Sequence, residues 1–386
     1  MTWNIFDIGL FSVLTICFIT QMFFYWVVLA RPYYYMQYLA EKKSIHLTDR
    51  PPVSVIICIT KSHSDLPVFL TNILEQDYPE FEVIVITDDI PEADEEILIG
   101  MKSQYPNLYS THVPDETKNV SRKKLALTLG IKAAKYDKLL FTEPNTHART
   151  KDWIYLMARH FSERKTVVLG FSAYENANHL FHKYISYDYF FSNLQIIAPS
   201  LFKSPYAGNG RNMAYEKSHF IEHKGFAKHR SLQQGEDDLF INEIATGRNT
   251  TVELSAESVV LVKMPDFSDW IRQKINRMSS QRFYKRGPVA FWHIESYLRI
   301  GFIAALIACF IFKLPYIASG IALIYFIIRL LSQLFIINRT AKHLQVGKFY
   351  LTLPLFDLLQ PFINLYFFML SLVKGKENYT YRYEKR

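Results

Sequence analysis

Three cysteines in 386 residues, Cys17, Cys58 and Cys309, stand far apart in apolar surroundings. That scarcity excludes a disulfide framework and a cysteine-built metal site, and marks them as small core or membrane residues. No basic-aromatic run of the kind that tracks a nucleic acid strand is present, so nucleic acid is not an expected partner despite a net charge of +8. No internal repeat and no low-complexity segment occurs, which removes solenoids and biased linkers. The first seven residues hold neither Lys nor Arg, and no convincing small-residue cleavage site follows the apolar run behind them. A cleaved signal peptide is therefore not expected.

What the chain does have is long apolar runs. Residues 8–30 are uncharged and lie between Asp7 and Arg31. At about 1.5 Å per residue such a helix crosses a hydrocarbon core of about 30 Å. It reads as an uncleaved anchor. Residues 297–312 and 315–337 read as two further spans joined by a tight turn at Lys313, Leu314 and Pro315. Arg299 sits at an end and is expected to snorkel. Arg329 lies inside its span, so it should face another helix or climb to the interface. Residues 351–373 are a third candidate, interrupted by Pro354, Asp357, Gln360, Pro361 and Asn364. Their polarity favours a re-entrant or interfacial segment, with a full span left open.

Lys and Arg set the expected orientation. Arg31, Lys42, Lys43 and Arg50 follow the first run, which puts residues 31–296 in the cytoplasm. Two spans return the chain to that side at Arg339, Lys342 and Lys348, and the tail is basic as well. The net charge suits a protein lying against anionic lipid. The expectation is a multi-pass protein of the inner membrane.

The block between the apolar regions alternates strand and helix. Residues 53–59 (VSVIICI) and 81–86 (FEVIVI) are continuous β-branched runs, the pattern of strands buried on both faces. Residues 65–75 and 93–104 have helical spacing, 108–113 is a short strand, and 121–135 is a helix capped by Ser121. Residues 138–142 and 165–171 are further strands. The fold class is α/β with a doubly wound, mainly parallel sheet. Ligands of such sheets sit at the carboxyl ends of strands, where this chain has Asp88, Asp89, Glu143 and Asn145.

Residues 233–240 (QQGEDDLF) put three carboxylates after a glycine and before an apolar run. They suit the positive end of a helix dipole, and equally a general base facing a cleft. Residues 179–198 are rich in Phe and Tyr and read mainly as packing, with a substrate platform as the alternative. Residues 266–285 form a basic amphipathic helix expected to lie on the membrane surface.

In their order and spacing, LEQDYP before FEVIVI, SRKKLALTLGIKAAKYDKLLFTE, AGNGRNMAYEKSHF and QQGEDDLFIN resemble the bacterial membrane-anchored family 2 glycosyltransferases, over residues 10–375. The resemblance implies a GT-A type fold. It divides the chain into an anchor and linker (1–50), a GT-A domain (51–265, with a nucleotide-sugar half at 51–175 and an acceptor half at 176–265), an interfacial helix (266–296) and a membrane region with a basic tail (297–386). It implies transfer of a sugar from a nucleotide diphosphate donor to a lipid-linked or polysaccharide acceptor. By this likeness Asp237 is the catalytic base with Glu236 its neighbour. Asp88, Lys124 and Glu143 bind the donor. Gly210, Arg211, Gln273 and Arg277 contact acceptor or diphosphate. Glu143 and Asn145 are the ligands of a Mg²⁺ or Mn²⁺ ion.

The chain departs from that pattern in three places. The acid expected near Lys61 and Ser62 is gone, Asp-x-Asp has become Glu143-Pro144-Asn145, and the last motif has Asn276 where Arg is expected, with Arg277 displaced by one. These departures keep a second expectation alive: a catalytically inactive transferase-like scaffold of a polysaccharide assembly system.

Overall fold

The computed structural model describes residues 4–41, 50–60, 65–114, 121–175, 179–230 and 232–374. Lys42, Lys43, Lys61, Ser62 and the tail beyond Lys374 lie outside the described residues. The chain opens on α1 (Ile5–Phe23), capped by Asn4, whose side chain accepts from the Asp7 N–H at 2.7 Å. The helical path continues through a π-type segment (Phe24–Leu29) into α2 (Arg31–Glu41). The apolar rod is therefore longer than 8–30; as a candidate span it covers Ile5–Leu39.

The block that follows contains, in order, β1 (Val53–Ile59), α3 (Leu66–Leu74), β2 (Phe81–Thr87), α4 (Glu92–Gln104), β3 (Leu108–His112), α5 (Arg122–Ala133) and β4 (Lys138–Thr142). Next come β5 (Thr146–Ala148), α6 (Trp153–Ala158), β6 (Val167–Leu169), β7 (Ser172–Tyr174) and the long α7 (Leu180–Leu201). It closes with β8 (Met213–Glu216), α8 (Lys217–Glu222), α9 (Asp238–Ile244), β9 (Thr250–Val252) and β10 (Val260–Val262).

Seven strands form one sheet in the order β3-β2-β1-β4-β8-β6-β9. Every neighbouring pair is parallel except those of β8, which runs antiparallel to both β4 and β6. A second sheet has the order β5-β10-β7. The fold is thus mixed α/β with a mostly parallel main sheet.

Strand β1 shows why the run VSVIICI has no polar face. Val53, Val55, Ile57 and Ile59 enter one core with Leu66 and Phe69 of α3 and Trp153 of α6. Ile56 and Cys58 enter the other with Ala126, Leu127 and Ile131 of α5. Alternate side chains leave opposite faces of a strand, and here both faces carry helices. Each buried Val or Ile contributes about 1.5–3 kcal/mol, so neither face tolerates a charge.

Four more helices complete the fold: α10 (Phe267–Gln281), α11 (Arg286–Ile311), α12 (Tyr316–His343) and α13 (Leu353–Lys374). Helices α1, α11 and α12 meet over Leu14, Cys17, Phe302, Ala305, Cys309, Ala318 and Ala322. The small residues let the helix backbones approach closely.

Arg299 corrects the sequence reading. It does not snorkel from a helix end, because α11 already begins at Arg286. It is buried, 2.6 Å from Glu295 Oε2 and 2.9 Å from Asp357 Oδ1. Arg329 reaches Asp357 Oδ2 at 2.6 Å and the Tyr25 hydroxyl at 3.1 Å, so it faces other helices. Buried charges persist where they are paired and hydrogen-bonded, and Asp357 serves both arginines.

Helix α10 is also less simple than a surface amphipath. Lys274 is buried and pairs with Asp188 of α7 at 2.6 Å, and Arg277 donates to the Ser192 carbonyl at 3.1 Å. Arg272 stays exposed. Helix α13 runs beside α10: Phe367 meets Trp270 with ring centroids 5.3 Å apart, and Arg282 donates to Ser371 Oγ at 3.0 Å. Along its length α13 passes from Arg299, met by Asp357, to His293, met by Phe368. It therefore heads toward the start of α11, away from the α11–α12 turn.

Candidate active site

Strands β1, β2 and β4 are parallel neighbours, so their carboxyl ends share one edge of the sheet. Asp88 follows β2 there, and Glu143 follows β4. Helix α9 begins at the same edge. Gly235 turns the chain into it with φ +99°, a left-handed conformation that side chains disfavour.

Asp237 is the N-cap of α9, and its Oδ1 accepts from the Asp238 N–H at 2.7 Å. Its Oδ2 accepts from the Gly210 N–H at 2.8 Å. The same side chain lines a small cavity of about 20 Å³ with Lys123, Thr142, Glu143, Gly210 and Glu236. Leu127, Phe141 and Tyr215 supply its apolar wall. Helix capping and exposure to a cleft are therefore both true of this carboxylate.

Lys123 ties the cavity together. Its Nζ is 2.9 Å from Glu143 Oε1 and 2.8 Å from Glu236 Oε1. Arg211 donates from Nε to Glu143 Oε2 at 2.8 Å and from Nη2 to Gln273 Oε1 at 3.1 Å. The guanidinium also lies over the Tyr189 ring, 5.2 Å from its centroid. Asp88 is buried and paired with Arg122, the residue before Lys123, and does not line the cavity.

The charges shape one another. Burial and the adjacent Glu236 push the Asp237 carboxyl up, against Lys123 and two backbone N–H donors. Burial and Asp237 push Asp238 up to about 7, although the Tyr284 hydroxyl donates to it at 2.5 Å. Burial alone would raise Glu143, but Lys123 and Arg211 hold it well below the usual carboxylate range. Burial pushes the Cys58 thiol up to about 12; Lys123 opposes this while Glu236, Asp88 and Glu143 add to it. Cys58 is not a nucleophile in such a setting.

The residues singled out from the sequence fall into two groups. Asp237, Glu236, Glu143, Gly210, Arg211 and Gln273 form one connected cluster, whereas Asp88, at the same edge of the sheet, pairs with Arg122. Lys124 and Arg277 stand apart. Lys124 Nζ donates to the carbonyls of His229 (2.6 Å) and Leu232 (2.9 Å), and burial pushes its pKa down to about 8. Arg277 ends on the Ser192 carbonyl. The lysine in the cavity is Lys123. Consecutive helix residues point about 100° apart, so only one of the pair can face Glu143. The sequence signal was there: Lys123 is four residues before Leu127 and shares its stripe of α5.

Asn145 has a buried Oδ1 with no hydrogen-bond partner, as does Glu236 at Oε2. Together with the Glu143 carboxylate these are oxygen donors of the kind hard cations take.

Against known proteins, the model described as glycosyl transferase family 21 matches residues 10–378. That is a different family from the family 2 that the motifs resemble. Among solved structures the chain is similar to the mannosyltransferase PcManGT from Pyrobaculum calidifontis, determined in complex with GDP-Man and Mn2+. That pair shares 15% identity and a TM-score of 0.52, over 94% of this chain and 98% of the other, a likeness of fold alone. Similarity to TarS of S. aureus is weaker, with 18% identity and a TM-score of 0.37 over 59% of this chain and 39% of the other. No curated protein matches.

Proposed function

Since the chain belongs to glycosyl transferase family 21 and is thereby a glycosyltransferase, we propose that it is a membrane-bound inverting enzyme acting at the cytoplasmic face. Its donor is a nucleotide diphosphate sugar, and its acceptor a lipid-linked saccharide or a polysaccharide. The observation that carries this reading is the meeting of Asp237, Glu236, Glu143, Lys123 and Arg211 at the carboxyl edge of a mostly parallel sheet. The same arrangement supports a GT-A type, doubly wound domain over residues 51–265, with the donor at 51–175 and the acceptor at 176–265.

In the proposed reaction the acceptor hydroxyl oxygen attacks the anomeric carbon of the donor. Its proton passes to the Asp237 carboxylate. The bond from the anomeric carbon to the diphosphate breaks, and the electron pair leaves on the phosphate oxygen. One displacement inverts the anomeric configuration. The raised pKa of Asp237 makes it a stronger base than an ordinary aspartate. Lys123 and Arg211 are fixed cations positioned to meet charge on the departing diphosphate.

The donor set fits a hard divalent cation. Glu143 and Asn145 would hold it, Asn145 through the Oδ1 that lacks a partner, and Lys123 now stands between the carboxylates of Glu143 and Glu236. Such an ion supplies positive charge to the diphosphate when bound. The mannosyltransferase similar in fold was determined with Mn2+, which agrees with this reading.

Among the described residues, four helices are long and apolar enough to cross a membrane. We assign α1, α11 and α12 to spans; α13 enters among them at Asp357, which meets Arg299 and Arg329, and ends beside α10 and the start of α11, as a re-entrant segment would. That places residues 1–50 as anchor and linker, 266–296 as an interfacial segment and 297–386 as the membrane region and tail.

The test is turnover by the full chain in detergent against a panel of nucleotide sugars. Asp237→Asn should lower kcat by about 10²–10⁴-fold while donor binding persists. Unchanged turnover removes Asp237 from its role. Donor binding without turnover by the wild-type chain supports the inactive scaffold instead. Full activity after EDTA treatment removes the cation and leaves Lys123 and Arg211 as the clamp.

A further inference from the structure

We infer that His219, Glu222 and His223 form a metal site for a zinc-like divalent ion, separate from the catalytic cavity. Strand β8 runs antiparallel to β4, with Met213 opposite Phe141 and Glu216 opposite Lys138. Glu143 follows the far end of β4, so α8, which begins after Glu216, sits at the opposite edge of the sheet. The His-x-x-Glu-His spacing puts the three side chains on one face of a helical turn. One ligand atom from each lies within 4.8 Å of the other two.

The hydrogen bonds on the rings point to a ligand. His223 Nδ1 is 2.9 Å from the His219 carbonyl, which can only accept. In the neutral ring this puts the proton on Nδ1 and leaves the lone pair on Nε2. His219 Nε2 is 2.7 Å from Thr166 Oγ1, while its Nδ1 is buried without any hydrogen-bond partner. With Nε2–H donating to Thr166, that orphaned Nδ1 also presents a lone pair. A ring nitrogen bound to an oxygen acceptor with the other nitrogen free is the usual outer arrangement of a metal-binding imidazole.

The site has a firm floor. Phe220, between the two histidines, is buried against Phe226 and Phe240, with centroids 5.2 and 5.8 Å away. Glu222 is exposed, so it can rotate onto an ion. Two imidazole nitrogens and one carboxylate oxygen suit Zn²⁺ at about 2.0–2.2 Å, with water in the fourth position.

The probe is Zn²⁺ alone, added to the untagged full-length chain in detergent and followed by equilibrium dialysis. Co²⁺ substitution, read by visible absorption, reports ligand geometry. Zinc binding should weaken by about tenfold or more in His223→Gln and in Glu222→Gln, and persist in Glu143→Gln. Circular dichroism checks that each variant is folded. Zinc held equally well by both site variants, or not held by the wild-type chain at millimolar zinc, overturns the site. Neither result bears on sugar transfer.

Discussion

Gly210 donates its backbone N–H to Asp237 Oδ2 at 2.8 Å, so the loop before β8 aims the carboxylate at the head of α9. A Cβ added at Gly210 would come within 3.1 Å of that oxygen and 3.2 Å of the Asp237 Cβ. Gly210→Ala should therefore displace the base without removing it. The expected result is a fall in kcat of about tenfold or more with little change in donor KM, since misplaced groups cost rate before binding. A KM effect with kcat unchanged would show that Asp237 is not held by this contact.

The pH profile tests the electrostatics. Asp237 works ionised, and burial and Glu236 raise its pKa. The acid limb of kcat/KM should then lie above the range of an ordinary aspartate, with activity lost as pH falls through the raised value. Glu236→Gln removes a negative neighbour, so ionisation becomes easier and the limb moves to lower pH. A limb that stays put, or moves upward, breaks the coupling between the two carboxylates.

Lys123 and Lys124 should separate cleanly. Lys123→Gln removes the cation shared by Glu143 and Glu236, leaving buried carboxylates without it. Sugar transfer should fall by about tenfold or more, in proportion to the lost stabilisation of the leaving group. Lys124→Met loses hydrogen bonds to two carbonyls of the 229–232 segment, so the melting temperature should drop while donor affinity changes little. The reverse pattern would return Lys124 to the site.

Asp357 holds two buried arginines, Arg299 at 2.9 Å and Arg329 at 2.6 Å. Asp357→Ala leaves Arg329 without its carboxylate partner and should destabilise the detergent-solubilised chain by about 3–5 kcal/mol, measured by chemical denaturation. A change under about 1 kcal/mol would mean that water or lipid already screens the group.

The family match spans almost the whole chain, and the site it surrounds was partly legible beforehand. Gly235-Glu236-Asp237 and Glu143 stood out because acidic residues follow strand or precede helix signals. Lys123 and Lys124 look alike in sequence and separate only when the helix is rotated against its neighbours. Arg299 is illegible for a related reason: its partner Asp357 is 58 residues away. The His219, Glu222 and His223 cluster carries little sequence signal, because its spacing is short and α8 is only six residues long.

By itself the chain's order of residues determined the elements through β4, whereas the strand expected at 165–171 is only β6 (Val167–Leu169). β-branched runs, helical spacing, Ser121 as a cap and the apolar stretches are local, and local sterics and hydrophobic periodicity act within a few residues. Tertiary structure alone decided which charges meet. Lys123 bridging Glu143 and Glu236, Arg211 reaching Gln273 and Asp357 serving two helices depend on strand order and helix rotation. Those are fixed only when both faces of the sheet are covered, because burial then leaves each charged group no partner but the one across the fold.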